Sequence, residues 1–166
     1  MAGAMSREKA RPSIDVTVAA VIEHDARFLM VEERANGKVV YNQPAGHLEP
    51  NESLLDAVIR ETREETGYRF EPRYLLGIYL WRAETGKSYL RVTFTGGFVP
   101  PPAPARLDDG IIAVHWLGRD RLLGLAGQLR SPMVMRCIDD YRAGLRFPLE
   151  SLTHLDPSIT EGARLA

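Results

Sequence analysis

The sequence predicts a single α/β domain, on three observations. Five runs rich in β-branched and aromatic residues, at positions 14–22, 27–33, 73–82, 88–99 and 111–116, are bounded by turn-forming residues and have the length of strands. Two other segments, 53–65 and 131–144, repeat their apolar residues at helical spacing. The chain has 166 residues, 45% of them hydrophobic and 26% charged, the size and composition of one ordinary core. Strands alternating with helices set the class and leave the order of strands in the sheet open.

The elements follow in chain order. Residues 1–12 are polar, proline-containing and aperiodic, and are expected to be a disordered N-terminus; the domain is expected over 13–150 and a tail over 151–166. "IDVTVAAVI" and "RFLMVEE" are strands separated by "EHDA", a hairpin signal. "VVYNQPAGHLE" gives a short strand and then a bend at Pro44 and Gly46. "SLLDAVIRETREE" is a helix ending before Gly67, a residue suited to the left-handed position after a helix. "RYLLGIYLWR" and "SYLRVTFTGGFV" form a second hairpin across "AETGK". "PPPAPA" cannot join a sheet ladder and is a stiff connector. After the strand "IIAVHW" come a short helix in "RDRLLGLA" and a longer one in "SPMVMRCIDDYRAG", with Ser131 as its N-cap, Pro132 in its first turn and Gly144 past its end.

Charge excludes some functions. With 21 basic and 22 acidic residues the net charge is -1, so no long-range field gathers nucleic acid or a membrane surface, and any polyanion must be recognised locally. The sequence has no apolar leader and no run of 18 apolar residues, which makes the cytoplasm the expected location. Cys137 is the only cysteine, so it forms no internal disulfide, and its apolar-periodic surroundings predict a small buried hydrophobe.

Chemistry concentrates in "RETREETG". On a wheel of about 100° per residue, Leu54, Leu55, Val58, Ile59 and Thr62 share the arc that faces the core. Glu61, Glu64 and Glu65 gather on the flank of that arc, where water is partly excluded and like charges repel. Arg60 can pair with Glu64 one turn on and reach back to Glu52, but one arginine does not neutralise four glutamates. A bound divalent cation would do so, because hard Mg²⁺ or Mn²⁺ prefers oxygen ligands; an ion-pair lattice on a solvated helix is the alternative, and the wheel alone leaves both open.

The longer pattern is more specific. From Gly46 the chain reads "GHLEPNESLLDAVIRETREETGY", with Gly46, Glu52, Arg60, Glu61, Glu64, Glu65 and Gly67 in the register of the Nudix box. A chance match of seven such letters is on the order of one in a million at background residue frequencies. Thr62 and Tyr68 depart from its two aliphatic positions, which predicts slight destabilisation rather than loss of chemistry. The chain therefore resembles the Nudix hydrolases; "NQPAGHLE", "LRSP" and "GLRFPLE" extend the likeness to the bacterial NudJ-type phosphatases over roughly residues 14–150.

The resemblance implies the Nudix fold, a mixed β-sheet sandwiched between helices. It implies Mg²⁺-dependent (or Mn²⁺-dependent) hydrolysis of pyrophosphate linkages in nucleoside tri- and diphosphates or thiamine-pathway pyrophosphates, releasing orthophosphate. The other readings are a Nudix enzyme of different specificity, for ADP-ribose, dinucleoside polyphosphates or oxidised nucleotides, and a non-catalytic ligand sensor. By the same resemblance Glu61, Glu64, Glu65 and the backbone carbonyl of Ala45 are the metal ligands. Glu52 and Arg60 orient them within the catalytic set, while Gly46 and Gly67 shape the loop. The implied partner is a small phosphorylated molecule, not a membrane or nucleic acid, and the chain is a monomer or homodimer.

Outside the box, Asn42 and Gln43 are candidates for substrate contact, and Asp108 and Asp109 for the base. Tyr41, Tyr79 and Trp81 are candidates for ring stacking. Arg34, Arg82 and Arg91 could bind phosphate, with an ordinary surface role the plainer reading of each. His47 adjoins the box glycine, where it could simply cap the loop, and His24, His115 and His154 carry no local signal.

Overall fold

The computed structural model describes residues 13–155, so the N-terminal segment 1–12 and the last residues of the tail, 156–166, lie outside it. Its strands are β1 (Ile14–Val21), β2 (Glu23–His24), β3 (Arg27–Ala35), β4 (Lys38–Asn42), β5 (Ala45–His47), β6 (Arg69–Arg82), β7 (Ser88–Val99) and β8 (Ile111–Gly118). The helices are α1 (Leu54–Thr66), α2 (Arg119–Gly124) and α3 (Met133–Arg142).

The strands form two four-stranded sheets. One has the order β5-β1-β7-β6, with β1 and β7 parallel and the outer pairs antiparallel. In the other, β3 pairs with β2 and then β4 along one edge and with β8 along the other. The hairpin expected from "EHDA" is confined to Glu23↔Phe28 and His24↔Arg27. The first strand belongs to the other sheet, because alternate residues of β1 must be buried on both sides and only a central position does that. Val18, Ala20 and Ile22 pack with Ala57 and Val58 of α1, whereas Val21 packs with Val134, Cys137 and Ile138 of α3. The layers are thus helix, sheets, helix, as expected, with two cores in place of one and Cys137 buried in the second.

Local rules account for most boundaries. Ser53 caps α1, its Oγ accepting from the Asp56 N–H at 3.1 Å, and Gly67 ends the helix at φ 76° with its N–H donating to the Arg63 carbonyl. β6 begins four residues earlier than the expected 73 because Pro72 fits an edge strand at a bulge, opposite Gly96. A Cβ on Gly96 would stand 2.0 Å from the Glu71 carbonyl oxygen, so this bulge requires glycine. The two departures from the box settle well: Thr62 is buried and its hydroxyl donates to the Val58 carbonyl, and the Tyr68 hydroxyl accepts from the Trp116 indole N–H.

The N-cap expected at Ser131 is not formed. Pro132 already has helical angles and flanks α3, and no side chain among the described residues caps that end. Ser131 contributes its carbonyl to the Val134 N–H, while its buried Oγ has no partner among the described residues. Gly144 lies past the end of α3 at φ 84°, as expected.

Candidate active site

The β5 strand and α1 meet where the first sheet opens into a cleft of about 510 Å³. Pairing of Thr17, Val18 and Ala19 with His47, Gly46 and Ala45 fixes the loop that carries the box glycine against β1. A Cβ on Gly46 would fall 2.0–2.2 Å from the carboxyl atoms of Glu61, so the glycine is what allows that carboxylate to lie against the loop.

Arg60 organises the cluster. Its Nε and Nη2 donate to both oxygens of Glu52 at 3.0 and 2.7 Å, and its Nη1 donates to Glu61 at 2.9 Å and to Glu64 at 3.0 Å. Nη2 also donates to the His47 carbonyl at 3.1 Å, tying the helix to the loop. Such forked, charge-assisted bonds fix orientation as well as sign. They hold the Glu52 carboxyl below the usual carboxylate range. They also oppose the burial that lifts Glu61.

Glu65 differs in kind, because its pairing with Arg60 is replaced by a single backbone donor. It is buried beside Ala57 and Val58 on the core side of α1, with the Ala45 N–H donating to it at 2.8 Å. Burial pushes its pKa up to about 9, assisted by repulsion from Glu33, Glu61 and Asp108 and opposed by the Ala45 bond. Among the described residues no three histidine, cysteine or acidic side chains converge as a ready cage, since Arg60 takes up Glu61 and Glu64. The donor set nevertheless suits a hard divalent cation: it is all oxygen and crowded with like charge, and at Glu65 the repulsion adds to a larger cost of burial.

The other expected residues separate clearly. Asp108 docks on α1, its N–H donating to the Glu64 carbonyl at 3.0 Å, and its carboxylate acts on Glu61 and Glu65; Asp109 is an exposed turn residue before Gly110. Asn42 lines the cleft, but Gln43 lies beneath it, 1% exposed, donating to the Val134 carbonyl at 2.7 Å. That placement makes Gln43 a support for the cleft floor instead of a substrate contact. Trp81 stacks on Tyr89 at 5.5 Å and both line the cleft, whereas the Tyr79 hydroxyl donates to Asp140 and Tyr41 tilts against His115. Arg34 and Arg82 are exposed. His47 pairs with Asp15 and also lines the cleft.

Arg91 is the main correction. It is not a surface residue but 5% exposed on the cleft, along with Thr17 and Ser131. Its place on the polar alternate of β7, with Thr93 and Thr95, suggests solvent in the sequence; the two-sided burial of β7 reverses that. The one signal that could have revealed it is an arginine inside a strand whose alternate residues are threonines.

A family model described as the NUDIX domain matches residues 13–137. Phosphatase NudJ of Escherichia coli is 38% identical over 149 residues, covering 89% of this chain and 95% of that protein. The structure of a NUDIX hydrolase from Nitrosomonas europaea superposes with a TM-score of 0.84 at 46% identity, covering 89% of this chain and 99% of that one. The NUDIX domain of Shewanella oneidensis NrtR, solved with ADP ribose, has a TM-score of 0.66 at 21% identity over 83% of this chain and 92% of its own, a likeness of fold alone.

Proposed function

Because the chain belongs to the Nudix family and is a hydrolase of pyrophosphate bonds, we propose that it is a Mg²⁺-dependent phosphatase. Its substrates would be nucleoside tri- and diphosphates or thiamine-pathway pyrophosphates, and its product orthophosphate. The observation that carries this reading is the crowded carboxylate cluster organised by Arg60, of which Glu61 together with Glu65 lines a cleft large enough for a small phosphorylated molecule. The 38% identity to Phosphatase NudJ supports the phosphatase outcome. We assign the whole activity to one domain over residues 13–150, working in the cytoplasm on a small-molecule substrate as a monomer or homodimer; no helix among the described residues is long and apolar enough to cross a membrane.

In this reading Glu61, Glu64, Glu65 and the Ala45 carbonyl hold Mg²⁺ or Mn²⁺, which when bound screens phosphate charge and acidifies water. Arg60 and Glu52 keep the carboxylates aimed through the forked bonds already described. Gly46 lets the loop approach, and Gly67 turns the chain out of the helix. Glu65 and Asp108 are the acids placed to take a proton from the attacking water: Glu65 lines the cleft, and Asp108 docks on α1 from the facing loop and acts on Glu61 and Glu65. Trp81 and Tyr89 offer a flat wall for a heterocycle.

The test is orthophosphate release with and without added pyrophosphatase. It is run with Mg²⁺ or chelator across nucleoside tri- and diphosphates, thiamine and hydroxymethylpyrimidine pyrophosphates, ADP-ribose and dinucleoside polyphosphates. Metal-dependent orthophosphate without pyrophosphatase, lost in Glu64→Gln, is the expected result. Release only after pyrophosphatase is added, or turnover of ADP-ribose alone, would overturn the phosphatase reading.

A further inference from the structure

Arg91 carries a buried positive charge that has no carboxylate partner among the described residues. Its Nη1 donates to Gln43 Oε1 at 3.3 Å and its Nη2 to Asn42 Oδ1 at 3.4 Å, both neutral amides at distances long for a guanidinium bond. Its Nε has no partner among the described residues. Glu33 and Glu65 act on it through space without forming an ion pair. Burying an ion on such terms costs stability unless something completes it.

Two more observations converge on the same place. The buried side-chain polar atoms without a partner among the described residues are Thr17 Oγ1, Arg91 Nε and Ser131 Oγ. All three residues line the cleft that holds Glu61 and Glu65. Arg130, also on that lining, adds a second guanidinium, 3.9 Å from Glu33. Buried polar groups are otherwise paired almost without exception in folded proteins, so three cleft-lining residues that each carry an unpaired buried polar atom make this wall unusually poor in polar partners.

We propose that Arg91, assisted by Arg130, Ser131 and Thr17, forms an anion subsite on the cleft floor that binds a substrate phosphoryl group apart from the carboxylate cluster. The inference rests on the hydrolase reading for the word substrate, but not for the anion. Gln43 beneath the cleft and Asn42 on its lining hold the guanidinium in place. One cleft then offers a substrate two unlike groups, the carboxylates of Glu61 and Glu65 and the guanidinium of Arg91. The subsite thereby favours compounds with at least two phosphoryl groups.

The experiment compares wild type with Arg91→Met, Arg91→Lys, Ser131→Ala and Glu64→Gln, using inorganic phosphate as the probe. In chelator, saturating phosphate is expected to raise the melting temperature of wild type and Glu64→Gln by roughly 5 °C, and that of Arg91→Met much less. Without phosphate, Arg91→Met should melt about 2–4 °C higher than wild type, because an uncompensated buried charge is gone. With Mg²⁺ and substrate, Arg91→Met should raise KM about 10- to 100-fold with a smaller change in kcat, Arg91→Lys should fall between, and phosphate should compete with substrate in wild type.

Equal phosphate stabilisation of wild type and Arg91→Met, or an unchanged KM, would overturn the subsite. Phosphate inhibition that does not compete with substrate would instead mark an effector site and overturn it as well. If Arg91→Met fails to fold, Arg91 is structural, unless Arg91→Lys and Ser131→Ala, both folded, still lose the phosphate shift and raise KM. A wild type that hydrolyses nothing yet keeps an Arg91-dependent phosphate shift would sink the hydrolase reading and leave the anion subsite standing.

Discussion

Glu65 shows how a single side chain couples the fold to the chemistry. Its pKa of about 9 against an ordinary 4.5 means that the folded, metal-free protein retains a proton that the unfolded chain releases. With more protons bound in the native state, stability falls as pH rises between those two values. In chelator the melting temperature is expected to decline from pH 5 to pH 9, with a shallower decline in Glu65→Gln; equal slopes would remove the basis for this account. Glu64→Gln and Glu65→Gln are each expected to lower turnover by about 100-fold or more with the fold retained, since even residues that only orient metal ligands typically cost 10- to 100-fold. Gly46→Ala separates function from stability, because the atoms in its way are the flexible end of Glu61 and not backbone. Circular dichroism should show an intact protein and the phosphate assay a loss of about 10-fold or more, as Glu61 is displaced from the loop.

The two helix beginnings make a contrasting pair at the scale of elements. Ser53 caps α1 through its side chain, so Ser53→Ala should cost about 1 kcal/mol, read as a fall of roughly 2–4 °C in melting temperature. Ser131 precedes α3 and caps nothing with its hydroxyl, so Ser131→Ala should be nearly neutral in the same measurement. The two are indistinguishable by residue type, and the difference lies in the backbone. Ser53 is extended and presents its Oγ to the first turn, whereas Pro132 continues the helical angles and leaves Ser131 to the cleft. The bulge in β6 belongs to the same scale: Gly96→Ala drives a Cβ into the Glu71 backbone, which cannot move aside as a side chain can.

Across the whole molecule, the sheets are shared by two cores, one under α1 and one under α2 and α3. Phe94 and Phe70 are fully buried in the first, and truncating either to alanine is expected to cost about 3–5 kcal/mol in chemical denaturation. Because β1 and β3 contribute to both cores, the loss should appear as one cooperative transition and not as partial unfolding of the α1 side.

The helix α1, its end at Gly67 and the register of Glu52, Arg60, Glu61, Glu64 and Glu65 were all determined by the sequence itself. Each depends on neighbours within about two turns, where spacing translates directly into geometry. The strands of β6, β7 and β8 were legible in the same way, from runs bounded by turns. The parallel pairing of β1 with β7, the division into two sheets and the burial of Arg91, Thr17 and Ser131 around one cleft came from tertiary structure alone. Residues 17, 91 and 131 are far apart in the chain, and only the central position of β1 and β7, covered on both faces, turns what reads as a polar outer face into the floor of a site.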